Sequence, residues 1–179
     1  GWNFGEVANG ARFVQASQLS LNGSGIGTFS DRARDHVRGG SGFDSGDTLK
    51  RNQGWISGLH YADNGSGGNA SKSALMWSGD VIKVGLAGSI RDFELTTHWD
   101  ARLKLENIDY NGQPAGYVVD PQEVVNYVEN HDNPTLFDTT AFKLPINTSL
   151  DDRARVQILG AATTAFSQGI AYWHAGIDT

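Results

Sequence analysis

Two kinds of pattern alternate along the chain: short apolar runs, and stripes of apolar residues at helical spacing. Gly25-Ile26-Gly27-Thr28-Phe29 reads as a short strand, and Ser30-Asp31 ahead of Arg32-Ala33-Arg34-Asp35 caps and opens a helix behind it. Near the C-terminal end the order repeats. Ser149-Leu150-Asp151-Asp152 resembles a capping box with acids in the first turn, where they suit the helix dipole. Val156, Leu159, Thr163 and Phe166 then recur at helical spacing, and Gly169 stands where a left-handed residue would end the helix. Ile170-Ala171-Tyr172-Trp173 comes next as a short buried strand.

Between these units, Gly39 to Asp92 is too long for a simple connection and is broken by glycine-rich turns, so it reads as an elaborated loop. Trp55, Ile56 and Leu59 mark one short helix in it, and Val81, Val84, Gly85 and Gly88 another, whose glycines allow close packing of a neighbour. The segment from Asp120 to Asp132 contains a conflict. Asp120-Pro121-Gln122-Glu123 signals a helix start, but Val124, Val125, Tyr127 and Val128 favour a strand. One capped turn followed by a buried strand reconciles the two, with Pro134 stopping any continuation. Three strands alternating with helices suit part of a (β/α) layer or barrel.

Composition narrows the function classes. With 39% hydrophobic residues among 179, the chain can bury a core. A formal charge of −6 argues against a phosphate-binding surface and hence against nucleic acid as a partner. No apolar run approaches the roughly 18 residues of a membrane span. The absence of cysteine excludes thiol catalysis and cysteine-ligated metals. Glycine, at 23 residues, is nearly double the usual ~7%, which implies long shaped loops.

Common catalytic signatures are missing: no G-x-S-x-G elbow, P-loop, H-E-x-x-H or EF-hand loop occurs. Gly23-Ser24-Gly25-Ile26-Gly27 precedes a strand rather than coming after one, so it is a flexible loop and not a dinucleotide site. Asp44, Asp47, Asp63 and Asn64 carry oxygen donors of the calcium-binding type, and solvated turns are their simpler account. His131-Asp132-Asn133 is different, because three polar groups come directly after an apolar strand, where a barrel presents its catalytic residues. By local pattern alone, an Asx-type turn is about as good a description.

Longer stretches decide between these two descriptions. Gly1-Trp2-Asn3-Phe4-Gly5-Glu6-Val7-Ala8, Gly25 to Arg32, Asp120 to Asn133, Thr135-Leu136-Phe137-Asp138 and Ser167-Gln168-Gly169-Ile170 through His174-Ala175-Gly176 closely resemble, in order, the pullulanase-type α-1,6-glucosidases of the α-amylase superfamily, glycoside hydrolase family 13. The resemblance implies an α/β fold, the C-terminal part of a (β/α)8 TIM barrel with a Gly-rich insertion in a βα loop, cut from a larger domain. The family's general-acid glutamate stands just before the residue matching Gly1, and its nucleophilic aspartate lies further upstream.

The resemblance assigns Asp132 to the family's third carboxylate, a transition-state stabiliser, and His131 to the histidine that hydrogen-bonds the same sugar. Trp2 and Phe4 would offer apolar faces to glucose units, and Asn133 is a further substrate contact. The implied substrate is an α-glucan, with branch linkages in pullulan, amylopectin or limit dextrins cleaved by a retaining mechanism. Water suffices and no organic cofactor is needed, calcium being the metal left open for the full-length enzyme. Alternatives are an isoamylase or branching enzyme on the same barrel, and a non-catalytic glucan-binding module, whose β-sandwich the capped helix at Ser149 opposes.

Overall fold

The computed structural model describes residues 17–68 and 70–177. From the N-terminal side the chain forms β1 (Thr28–Phe29), α1 (Arg32–Arg38), α2 (Gly46–Arg51), a 3-10 turn at Trp55–Ser57 and the long α3 (Lys72–Leu86). Two antiparallel hairpins come next, β2 (Glu94–Thr96) with β3 (Arg102–Lys104) and β4 (Asp109–Tyr110) with β5 (Gln113–Pro114). A 3-10 turn at Pro121–Glu123 leads into β6 (Val124–Asn126), and α4 (Leu136–Lys143), α5 (Leu150–Ala165) and β7 (Ile170–Ala171) complete the order.

The three strands expected from the apolar runs form one parallel sheet in the order β1-β6-β7, with Phe29 opposite Val125 and Asn126 opposite Ala171. The strand conflict at Asp120 resolves as a capped turn and then a strand. Glu123 is buried, its Oε1 accepting from the Gly25 N–H at 2.8 Å and its Oε2 from the Val119 N–H at 3.1 Å. Those backbone donors, Gly25 foremost, outweigh burial and hold the Glu123 carboxyl below the usual range. Glu123 is therefore a structural carboxylate that ties the glycine-rich loop before β1 to the start of β6.

Within the Gly39–Asp92 stretch, α3 is the main body, and it starts at Lys72 rather than near Val81. Ser71 caps it, its Oγ accepting from the Ala74 N–H at 3.1 Å. Two of its faces are buried. Val81 and Val84 pack with Leu95, Leu105, Ile108 and Tyr110 of the hairpin region, while Ile82 joins Val37, Ile56, Val128 and Leu136. Buried Asp80 ties the helix to the β2–β3 turn, accepting from Lys83 Nζ at 2.9 Å, the His98 N–H at 2.8 Å and His98 Nδ1 at 2.7 Å. Burial alone would raise this carboxyl, but the three donors hold it below the usual range.

Gly85 is where α1 and α3 approach most tightly, since a Cβ there would stand 2.3 Å from that of Ala33. Gly85→Ala is expected to push the helices apart at a cost of about 2–3 kcal/mol, of which its better helix propensity returns only ~1 kcal/mol, leaving a net loss of about 1–2 kcal/mol. An unchanged melting temperature would contradict this account of the helix crossing.

Three expectations near the C-terminal end need correction. Strand β7, expected to be buried, is exposed at both Ile170 and Ala171, as is Trp173 after it. Helix α5 ends at Ala165, so Gly169 does not cap it. With φ +110°, Gly169 instead brings the chain against Val124, where a Cβ would lie 2.6 Å from Val124 Cγ1. Nor is the predicted apolar stripe buried throughout. Val156 packs on the core, but Leu159 and Phe166 stay exposed, as do Leu150 and Ile158.

Candidate active site

The site lies just beyond the central strand. After β6, Tyr127 to Asn130 remain buried, and the chain then turns outward. The turn is local: the Asp132 N–H donates to Asn130 Oδ1 at 3.1 Å, and Asn130 Nδ2 donates to Asp132 Oδ2 at 3.4 Å. It leaves the side chains of His131 and Asp132 76% and 64% exposed, with His131 Nε2 3.4 Å from Asp132 Oδ1. An Asx turn and an exposed polar cluster are thus both present, because the turn is what presents the pair to solvent.

The loop is anchored on either side of that tip. Buried Glu129 accepts the Leu136 N–H through Oε2, and its Oε1 has no hydrogen-bond partner among the described residues. Glu129 faces a cavity of about 140 Å³ shared with Thr135, Gln157 and His174. Asn133 turns inward, its Oδ1 accepting from the Arg38 guanidinium at 2.8 Å.

Aromatic residues collect at the same end of the sheet. Phe29 ends β1, Tyr127 stands just after β6 and Tyr172 just after β7, and their rings meet edge to face with centroids 4.9 Å (Phe29 to Tyr127) and 5.3 Å (Phe29 to Tyr172) apart. Arg34 donates to the Tyr127 hydroxyl and to Asp35 Oδ1, and its guanidinium carbon lies 5.3 Å from the Tyr127 ring centroid. The carboxyl ends of three parallel strands therefore carry an acid, an imidazole, apolar ring faces and a guanidinium. Such a set can bind sugar hydroxyls and stabilise a developing positive charge. Sequence reasoning misses Arg34, Tyr127 and Tyr172. The signal available for the two tyrosines is their equivalent position, each just beyond a predicted strand.

A separate cleft of about 520 Å³ is lined by Asp35, His36, Asn52, Trp77, Ser78 and Tyr110 among others, and none of the His131 loop reaches it. His36 Nδ1 lies 3.0 Å from Ser78 Oγ, and its ring meets Trp77 and Tyr110. Burial pushes His36 down to about 4 from 6.5, against the opposing pull of Asp31. Below pH 6.5 the unfolded chain therefore takes up a proton that the folded protein refuses until about pH 4, and stability falls as pH drops through that window. His36→Phe is expected to flatten the curve of melting temperature against pH there; equal slopes in the two proteins would contradict the assignment.

Three of the four candidate calcium ligands make local hydrogen bonds. Asp44 Oδ2 accepts from Asn52 Nδ2 at 2.7 Å, Asp63 Oδ1 from the Gly65 N–H at 2.9 Å, and Asn64 Oδ1 from the Ser66 N–H at 3.0 Å. Among the described residues no cluster of three His, Cys, Asp or Glu side chains has metal-binding geometry.

Over 167 residues the chain is 46% identical to the pullulanase of Klebsiella pneumoniae, a match covering 93% of this chain and 15% of that protein. Pullulanase 1, chloroplastic, of Arabidopsis thaliana is 41% identical over 180 residues, 98% of this chain and 18% of that one. A maltotriose complex of the Klebsiella pneumoniae enzyme PulA superposes with a TM-score of 0.89 over 93% of this chain and 18% of that one, at 46% identity. The chain is a relative of the pullulanases. No family model matches it.

The chain thus spans 15 to 18% of the length of these pullulanases, and its mixed helix and strand architecture matches a segment of theirs. The pullulanase-type aromatic positions Trp2 and Phe4 lie outside the described residues. No helix among the described residues is long and apolar enough to cross a membrane.

Proposed function

We propose that the chain is the C-terminal part of a (β/α)8 catalytic barrel, with a Gly-rich insertion in a βα loop over 39–92, in an enzyme that hydrolyses α-1,6-glucosidic branch linkages. The observation that carries this reading is the exposed His131–Asp132 pair beyond the carboxyl end of the central parallel strand, in a chain related to pullulanases. That end of the strands is where such barrels place their chemistry. The maltotriose complex of a relative supports an α-glucan as the ligand class.

In the retaining mechanism one carboxylate attacks the anomeric carbon while a second, about 5 Å away, protonates the glycosidic oxygen; water then hydrolyses the glycosyl-enzyme. Both groups come from outside this chain. Asp132 contributes the third charge, binding hydroxyls of the reacting ring and stabilising the oxocarbenium-like transition state. His131 hydrogen-bonds the same sugar, Trp2 and Phe4 offer apolar faces to glucose units on the leaving-group side, and Asn133 is a further substrate contact. Because nucleophile and acid lie elsewhere, the isolated chain is inactive.

The test is hydrolysis of pullulan by the full-length enzyme, with products separated by chromatography. Maltotriose release, with linear amylose left uncut, is the expected result. Cleavage of glycogen or linear starch without action on pullulan moves the protein to an isoamylase or branching enzyme.

A further inference from the structure

Between the Glu129 anchor and α4, the loop that carries Asp132 is held among the described residues chiefly by Arg38, beside a longer hydrogen bond from Thr139 Oγ1 to the Pro134 carbonyl at 3.5 Å. Arg38, in the last turn of α1, is 5% exposed and donates to three acceptors: Asn133 Oδ1 at 2.8 Å, the Pro134 carbonyl at 2.6 Å and Thr139 Oγ1 at 2.8 Å. The first two belong to the residues directly after Asp132. A planar fork with several fixed donors can satisfy divergent acceptors in this way, whereas a point-like ammonium cannot.

Arg38 is itself fixed. Buried Lys143 at the end of α4 donates to the carbonyls of Arg38 and Gly39, so α1 and α4 are cross-linked in both directions. By contrast, the contacts of His131 and Asp132 among the described residues are with each other and with the Asn130 turn.

We propose that Arg38 is a positioning residue for hydrolysis. It sets where the Asp132 carboxylate stands through Asn133 and Pro134, without touching the glucan. This rests on the debranching reading above. It also gives Asn133 a second role, since its side-chain oxygen already accepts from Arg38.

In the full-length enzyme, Arg38→Gln is expected to lower kcat on pullulan at least about tenfold while changing KM less than about threefold, because displacements near 1 Å at a reacting centre can cost 10²-fold. Arg38→Lys, which retains one or two of the donors, recovers part of that loss. Asp80→Asn is the stability control: it breaks the α3 to β2–β3 contact far from the loop, and at a comparable drop in melting temperature its kcat stays within about twofold. In an Asp132→Asn background, Arg38→Gln costs much less than it does alone, because the main group it positions is gone and only the Asn133 contact is left to disturb.

The outcomes separate the two ideas. If Asp132→Asn leaves kcat intact, the reading of the site fails. If Asp132→Asn is crippling but Arg38→Gln keeps full kcat, or its loss simply adds to that of Asp132→Asn, or Asp80→Asn lowers kcat as much, the Arg38 proposal alone is overturned.

Discussion

Asp132→Asn in the full-length enzyme is expected to reduce kcat on pullulan by about 10²- to 10³-fold with the fold intact. The amide matches the carboxylate in shape, so the Asn130 turn, which uses the Asp132 backbone N–H, is retained. What is lost is the charge. A full charge about 4 Å from an oxocarbenium centre is worth ~1 kcal/mol in bulk water but ~4 kcal/mol at an effective dielectric near 20. At 1.36 kcal/mol per decade these correspond to about fivefold and about a thousandfold. The carboxylate is 64% exposed here, so the larger figure requires glucan to displace the water around it. Steady-state kinetics on pullulan, with circular dichroism to check folding, separates the cases. A loss below about tenfold would mean that Asp132 works in water and is not the electrostatic stabiliser.

How much of this is readable in the sequence depends on the range of the forces that build it. The cap of α5 is legible because it is local: Ser149 Oγ accepts the Asp152 N–H at 3.1 Å. The Asp120–Glu123 turn is legible for the same reason. Helix α4 escapes because Pro134 reads as a stop, whereas Pro134 precedes the helix and Thr135 caps it through the Asp138 N–H at 3.1 Å. The β4–β5 hairpin does carry a strong local signal, Asn111-Gly112, whose φ values of +53° and +80° suit a two-residue hairpin turn. Helix α3 is only half visible, since Ser78 and Gly79 interrupt its apolar stripe. Its two buried faces are defined by elements far away in the chain.

The candidate site divides in the same way. His131 and Asp132 are contiguous, come after a readable strand and carry the family resemblance. The residues that hold them do not announce themselves. Arg38 reaches Asn133 across 95 positions, and nothing in Val37-Arg38-Gly39 distinguishes a buried anchor from a solvated helix end. Long-range polar contacts of this kind have no periodicity, so hydrophobic patterning cannot reveal them.

Arg32 shows the energetic side of that point, and Arg32→Met is expected to destabilise the protein by about 3 kcal/mol. Arg32 opens α1 directly after β1, and its side chain is fully buried. Its guanidinium lies between the rings of Tyr110 and Tyr117, 4.6 Å from each centroid, and it donates to Asp31 Oδ1 at 2.6 Å and the Pro114 carbonyl at 2.9 Å. Methionine fills much of the volume between the rings but strands these acceptors. Lysine fails differently, as a point charge that cannot stack as a plane, so Arg32→Lys is expected to lose most of the same stability. The acid limb supplies a second readout. Burial would raise the Asp31 carboxyl, but the charge and hydrogen bond of Arg32 hold it below its ordinary 3.8. A depressed folded value gives stability that is present above the unfolded value and lost as pH falls through the folded one. Without Arg32, burial is opposed only by the Gln18 and backbone hydrogen bonds, so the stability that Asp31 contributes above its unfolded value shrinks and the acid limb flattens. Thermal unfolding between about pH 3 and 6 tests both parts. A loss under about 1 kcal/mol, or an unchanged acid limb, would show that the two tyrosines hold this corner of the fold without the cation.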